Sequence, residues 1–147
     1  VIIFGEKEDK EYIWRPAVYG VMFSEQKDKV AVLRTSRGDY FLPGGGIENN
    51  ETHEECLKRE ALEEMGMVVE MGQYIGSAQQ YFSDQDEKNH YLNEGHFYLC
   101  IEIKQLAVPT EEDHFLEWCN PNKAIESLFH RHQSWAVKEA VELISRM

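Results

Sequence analysis

The sequence predicts a single α/β domain in which a mixed β-sheet lies between helices. Three observations predict it. The chain has 147 residues, 42% of them hydrophobic, which is enough for one core and too apolar for a largely disordered chain. Alternating or continuous apolar runs of strand length recur along it. Three helical segments are interspersed among those runs without the strict alternation of a parallel doubly wound sheet.

Each element has a local reason. Residues 15–23, RPAVYGVMF, read as a strand with alternating faces. Residues 29–34 carry an apolar Ala-Val-Leu centre and are expected to pair with it across the polar turn Ser24–Asp28. A short strand over 39–42 meets Pro43, which should stop it. Three glycines, Gly44–Gly46, follow and read as a loop that lets a ligand approach the backbone closely. Thr52 and Glu55 match the capping box and start a helix with Thr52 as N-cap. Leu57, Ala61 and Met65 form its apolar stripe, and Gly66 suits a left-handed C-terminal stop. Residues 68–81 read as a long or bent strand with possible bulges at Gly72 and Gly76. A polar loop covers 83–90, and strands are expected over 94–103 and 115–119. Asn120 and Pro121 suit the N-cap and first position of a helix running to about residue 129. A last amphipathic helix spans about 133–146 and turns Trp135, Val137, Ala140, Val141 and Ile144 inward. The chain shows no internal repeat or linker, so residues 1–147 are expected to form one domain.

The first helix carries the chemistry. Glu60, Glu63 and Glu64 stand at spacings i, i+3 and i+4 and share one side of it. Only Glu63 has a cation at helical spacing, Arg59. The acids also sit at the end of the helix where the backbone dipole disfavours negative charge. This repulsion suggests a missing cation, and a hard divalent ion such as Mg²⁺ fits because it prefers oxygen ligands and keeps waters. From the three acids alone, a solvated acidic face explains the pattern equally well. Glu51 and Arg59 are spaced to flank the helix, with Arg59 able to pair with Glu51 or Glu63.

Residues 45–67 resemble the signature of the Nudix hydrolases, Gly-x5-Glu-x7-Arg-Glu-U-x-Glu-Glu-x-Gly-U, where U is a bulky aliphatic residue. Gly45, Glu51, Arg59, Glu60, Glu63, Glu64 and Gly66 fill every fixed position. Met67 satisfies the last U, and Ala61 stands at the first, smaller than the typical residue. The resemblance implies an α/β/α sandwich. It also implies a Mg²⁺-dependent pyrophosphohydrolase, with Mn²⁺ as the alternative ion, acting on a nucleoside diphosphate linked to another group. The nucleoside triphosphate and dinucleoside polyphosphate types both remain open. By the same resemblance Glu60, Glu63 and Glu64 are metal ligands, joined by the carbonyl of Gly44 or Gly45. Glu64, Arg59 and Glu51 take catalytic roles, with Arg59 holding the carboxylates in place, and Gly45 and Gly46 shape the phosphate site. In many family members the general base is a glutamate outside the signature. Glu111 and Glu112, in the segment TEEDH, are the candidates here, Glu112 foremost. Where ADP-ribose pyrophosphatases often carry a proline, this chain has Tyr81-Phe82-Ser83, so the substrate is not fixed by subgroup.

Fifteen Lys and Arg against 27 Asp and Glu give a net charge of −12. That field repels nucleic acid polymers and anionic membranes, so the expected partner is a small-molecule nucleotide. It also repels a small polyphosphate, which therefore needs local positive charge. Besides the metal, Arg34, Arg37, Lys58 and Arg15 are candidates, with Arg34 and Arg37 favoured because they just precede the glycines. Tyr12, Trp14, Tyr81 and Phe82 are candidates to stack on a base, although strand aromatics are more often core. Cys56, Cys100 and Cys119 match neither a zinc pattern nor a disulfide framework and are expected as reduced thiols. No histidine pair has the HExxH spacing, and Glu111-x-x-His114 lacks the second copy that a di-iron site needs. No apolar run is long enough to span a membrane and no secretory core is visible, so a cytoplasmic location is expected. Two other readings are open: a non-catalytic nucleotide-sensing regulatory domain, and an RNA 5′-end pyrophosphohydrolase, against which the acidic balance weighs.

Overall fold

Backbone pairing in the computed structural model, which describes residues 1–147, gathers eight strands into two sheets. The larger contains β1 (Ile3–Phe4), β2 (Ile13–Met22), β5 (Gly44–Gly46), β6 (Met67–Ser83) and β7 (His90–Gln105) in the order β1-β6-β7-β2-β5. It is mixed: β6 and β7 form a long antiparallel hairpin, β7 runs parallel to β2, and β5 runs antiparallel to β2. The smaller sheet has the order β4-β3-β8, built from β3 (Val30–Arg34), β4 (Tyr40–Phe41) and β8 (Phe115–Cys119).

Side-chain alternation along β2 makes two cores. Ala17, Tyr19 and Val21 point to the side covered by α2 (Pro121–Ser127) and α3 (Arg131–Ser145), with Phe97, Ala136, Val137 and Ala140. Val18 and Met22 point to the side covered by α1 (His53–Met65), where Cys56, Leu57, Ala61 and Met65 are buried. The result is the expected α/β/α sandwich. No helix is long and apolar enough to cross a membrane.

The helix ends behave as their residues dictate. Thr52 accepts from the Glu55 amide at 3.1 Å and Glu55 accepts from the Thr52 amide at 2.9 Å, closing the capping box. Asn120 caps α2 by accepting from the Asn122 and Lys123 amides. Gly66 ends α1 in the left-handed region at φ 65°. Its carbonyl accepts from the Leu106 and Ala107 amides, which ties the helix end to the segment after β7.

Two expectations are corrected. β3 does not form a hairpin sheet with β2; a single bridge, Phe23 to Val30, and the Ser24 amide donating to the Lys29 carbonyl at 2.8 Å close the turn between them. Both edges of β2 are taken by β7 and β5, so the chain crosses to the other sheet, where β3 pairs with β4 and β8. The glycines Gly44–Gly46 are not a free loop. Their backbone groups need partners and find them on the open edge of β2. The expected bulges are present, as register shifts on either side of Tyr74. The last helix starts at Arg131, which buries His132 and Gln133, while Trp135, Val141 and Ile144 are only half-buried.

The three cysteines are unpaired. Burial pushes the Cys56 and Cys100 thiols up to about 12, which makes them poor nucleophiles. His132 is fully buried beside Asn93, with Nε2 3.3 Å from Asn93 Oδ1, and Asn93 Nδ2 donates to the Tyr19 hydroxyl at 2.8 Å.

Two outcomes are expected. A Cβ on Gly66 would both force a left-handed conformation and run into the Ala107 carbonyl. Gly66→Ala should therefore lower stability by about 2 kcal/mol or more in urea unfolding. Burial depresses the His132 imidazole from 6.5 to about 3. The unfolded chain binds that proton first, so this contribution to stability is complete above pH 6.5 and is lost as pH falls toward 3. NMR should show a His132 ring that does not titrate between pH 5 and 8.

Candidate active site

Arg59 organises the acidic face of α1. Its Nε donates to Glu51 Oε2 at 2.6 Å and its Nη2 to Glu51 Oε1 at 3.0 Å, a two-point pairing. Nη1 donates to Glu60 Oε1 at 2.8 Å and reaches Glu63 Oε2 at 3.3 Å, with Glu48 at 3.6 Å. Nη2 also donates to the Gly46 carbonyl at 3.1 Å, which ties the helix to β5. One cation thus faces four carboxylates. Its strongest effect falls on Glu51, whose carboxyl it holds below the usual range. Glu60 is raised in spite of its pairing, because burial outweighs the help from Arg59 and the charges of Glu63 and Glu111 add to it.

Glu64 has no share of Arg59. It is 5% exposed and its Oε1 accepts from the Gly44 amide at 2.9 Å. Burial, reinforced by Glu60, Glu111 and Glu63, raises its carboxyl well above the ordinary value. Its other oxygen lies 3.5 Å from His114 Nδ1, a buried nitrogen with no hydrogen bond in the protein. Gly45 lies directly against Glu60: a Cβ there would stand 2.8 Å from its carboxyl. Glycine at this point of β5 is what lets the helix carboxylates close on the strand.

Glu64, Gly44 and Gly45 form part of the wall of a cleft of about 510 Å³. The same wall includes Arg15, Arg37, His114, Phe82, Phe129 and His130. Glu60 faces an adjoining recess with Gly46 and Glu48, and Arg15 is common to both spaces. Among the cations expected from sequence, Arg37 and Arg15 reach the cleft. Arg34 does not: its Nε donates to Glu117 Oε2 at 2.6 Å and its guanidinium lies over Phe115, which holds it on the smaller sheet. Lys58 is exposed and paired with Glu54. Glu111 and Glu112 are both exposed and neither carboxylate makes a hydrogen bond or ion pair; the Glu111 amide donates to the Glu63 carbonyl at 2.9 Å, and the Glu111 charge adds to the rise of Glu60 and Glu64. Of the aromatics, Phe82 lines the cleft and Tyr12, Trp14 and Tyr81 do not. His114, His130 and Gln133 were not expected there; no motif spacing marks them, because two segments distant in the chain, the approach to β8 and the start of α3, bring them together.

A family model described as the NUDIX domain matches residues 13–140. The chain belongs to the Nudix family. It is 26% identical over 101 residues to the low-salt glycan biosynthesis protein Agl8 of Haloferax volcanii, a match covering 66% of this chain and 64% of that protein. It is 32% identical over 83 residues to diphosphoinositol polyphosphate phosphohydrolase 2 of Rattus norvegicus, covering 55% of this chain and 44% of that one. The chain thus spans less than two thirds of the length of these curated relatives. Among solved structures, a NUDIX hydrolase from Nitrosomonas europaea superposes with a TM-score of 0.68 at 14% identity, covering 87% of this chain and 88% of that one. That likeness shows the Nudix fold. Hydrolases of the family generally use divalent metal ions.

The Nudix helix of this chain fits such an ion. No three acidic, histidine or cysteine side chains converge into a closed cage. Glu60 is turned to Arg59 and Glu64 to the Gly44 amide. Mg²⁺ does not require such a cage, since it binds through one or two carboxylates and keeps waters or substrate phosphates on its remaining positions. Burial first, and neighbouring carboxylates after it, raise the Glu60 and Glu64 carboxyls, a cost that a bound cation would offset.

Arg59→Gln should leave Glu51 and Glu60 without their partner. The expected loss is about 2 kcal/mol in urea unfolding, below the roughly 3–5 kcal/mol of a fully buried pair because the guanidinium keeps some solvent. Glu51 is depressed below its unfolded value of 4.5. The parent therefore loses this contribution as pH falls below 4.5 through the folded value, and the variant's acid limb lacks that step.

Proposed function

We propose that the protein is a Mg²⁺-dependent hydrolase that splits the P–O–P linkage of a small nucleoside polyphosphate. The observation that supports this most is Glu64, a nearly buried acid with a raised carboxyl, set on the wall of a cleft beside the Gly44 and Gly45 backbone and two arginines. A carboxylate held this way is costly without a cation and useful with one. The net charge of −12 favours a small substrate over a polymer. The rat relative's name specifies a diphosphoinositol polyphosphate, so a phosphoric anhydride is the common element rather than the nucleoside.

Glu60, Glu63 and Glu64, with the Gly44 carbonyl, would hold the ion, which supplies positive charge to phosphate oxygens and lowers the pKa of a bound water. The chain's own groups do the rest. Arg59 fixes Glu60 and Glu51, and through the Gly46 carbonyl it fixes β5. The Gly44 amide orients Glu64. Arg15 and Arg37 meet phosphate oxygens, and Gly45 and Gly46 let them come close to the backbone. Water attacks one phosphorus, the bond to the bridging oxygen breaks, and that oxygen leaves with the departing phosphate. Of the two candidates to receive the water's proton, Glu112 and Glu111, we favour Glu111, whose backbone is tied to the Glu63 carbonyl at the end of α1.

Glu64→Gln tests this reading. The amide oxygen still accepts from Gly44, and the buried charge is gone. Without metal the variant should unfold at a temperature equal to or above the parent's. With Mg²⁺ its phosphate release from nucleoside triphosphates should fall roughly 10²-fold or more. Turnover near the parent's in the folded variant would remove Glu64 from the chemistry.

A further inference from the structure

The segment that leads from β7 to β8 is tied down along its length and delivers a histidine that the fold leaves unbonded. The last carbonyls of a helix have no partner within it. At the end of α1 this segment supplies the donors. Gln105 Nε2 donates to the Met65 carbonyl at 2.8 Å, and the Thr110 and Glu111 amides both donate to the Glu63 carbonyl at 2.9 Å. Further along, Asp113 Oδ1 accepts from the Ser36 amide at 3.0 Å, which anchors the segment to the turn between β3 and β4. β8 begins at Phe115. His114 is thus held between these anchors and the first residue of a strand, and it lines the cleft. Its Nδ1 is buried without a hydrogen-bond partner and lies 3.5 Å from Glu64 Oε2. The other oxygen of that carboxylate already accepts from the Gly44 amide at 2.9 Å. A buried polar nitrogen left unbonded lowers stability. Chance packing would not explain why the segment is pinned to set that nitrogen beside an acid of the Nudix helix.

We propose that His114 is a positioning residue for Glu64: its Nδ1–H donates to Oε2 when the carboxylate holds a cation, so that the Gly44 amide and His114 fix the two oxygens together. A carboxylate on a cation only accepts hydrogen bonds, so Nδ1 has to be the protonated ring nitrogen facing it. Hydrogen bonds of this kind orient a ligating carboxylate, and their loss typically changes metal affinity or activity about 10–100-fold. Glu60 has Arg59 for this task, at 2.8 Å. Glu64 has no share of Arg59 and has His114 instead. One acid is therefore held from within the helix and the other from the strap that closes the helix end. This deepens the hydrolase reading and rests on it for any effect on turnover, but the hydrogen bond and the ion affinity are measured without substrate.

His114→Asn, His114→Gln and His114→Leu separate this role from packing. The amide nitrogen of Asn falls near the place of Nδ1 and that of Gln near the place of Nε2, so only His114→Asn keeps the donor. Asp113→Ala, at an exposed residue, loosens the anchor and carries the test if the variants at 114 do not fold. Three quantities are read: the His114 ring nitrogen shifts by NMR with Mg²⁺, the Mn²⁺ affinity by water-proton relaxation without nucleotide, and turnover of nucleoside triphosphates. With Mg²⁺ the ring should be in the Nδ1–H form. His114→Leu and His114→Gln should each weaken Mn²⁺ binding about tenfold and lower kcat about tenfold with KM within about threefold, and His114→Asn should restore both to within about threefold of the parent. Asp113→Ala should weaken Mn²⁺ binding in the same direction by a smaller factor. A ring in the Nε2–H form with Mg²⁺ bound, or His114→Asn and His114→Leu alike in Mn²⁺ affinity, would overturn the proposal. So would Asp113→Ala binding Mn²⁺ like the parent where no variant at 114 folds. The expected order of Mn²⁺ affinities in a protein that hydrolyses no nucleotide would instead overturn the hydrolase reading and leave the role of His114 standing.

Discussion

A single guanidinium among too many carboxylates is the constraint on which the site depends. Arg59 reaches Glu48, Glu51, Glu60 and Glu63 and also the Gly46 carbonyl, so it fixes helix, strand and acids together. Its charge is spent unevenly. Glu51, gripped at two points, is lowered; Glu60, 2.8 Å away, is still raised because its burial outweighs that contact. Glu64 is left to a backbone amide and an unpaired histidine nitrogen. A surface pair of this kind contributes roughly 0–1 kcal/mol. Here the burial of both partners changes the scale: the acids cannot reach water freely, and the excess negative charge is directed at the cleft.

The fold explains why that charge is where it is. The pleat of β2 sends alternate residues into two cores, one under α1 and one under α2 and α3. The glycines of β5 lie on the edge of β2, beside the end of α1. The junction of α2 and α3 delivers Phe129 and His130 to the same opening. The acids come from one layer and the aromatic rings from the sheet and the opposite layer. The larger sheet lies between the two layers and brings the acids and the aromatic rings to one opening.

Much of this was legible in the sequence where its cause is local. The capping box at Thr52 and Glu55, the stop at Gly66, the cap at Asn120 and the strand Phe115–Cys119 all depend on a few adjacent residues. So does the acidic face, which follows from helical spacing alone. Non-local features were not legible. Nothing near β3 says that the edges of β2 are already occupied, or that Gly44–Gly46 will fill one of them. Arg34 and Arg37 are three residues apart, yet only the placement of Glu117 across the smaller sheet decides that Arg34 turns away from the cleft. Glu111 and Glu112 are adjacent and both exposed, and only the fold decides that the Glu63 carbonyl anchors the first. His114 and His130 belong to no motif, and their place on the cleft wall arises from packing between segments distant in the chain.

The central claim is that the crowded acids of α1 hold a divalent cation at the β5 edge of the cleft. Titration with Mn²⁺ under NMR tests it most directly, since a paramagnetic ion broadens signals close to it. The account predicts saturable broadening that begins at the amides of Gly44, Gly45 and the last turn of α1 and is competed away by Mg²⁺. Broadening spread evenly over the acidic surface, with those amides left sharp, would contradict it.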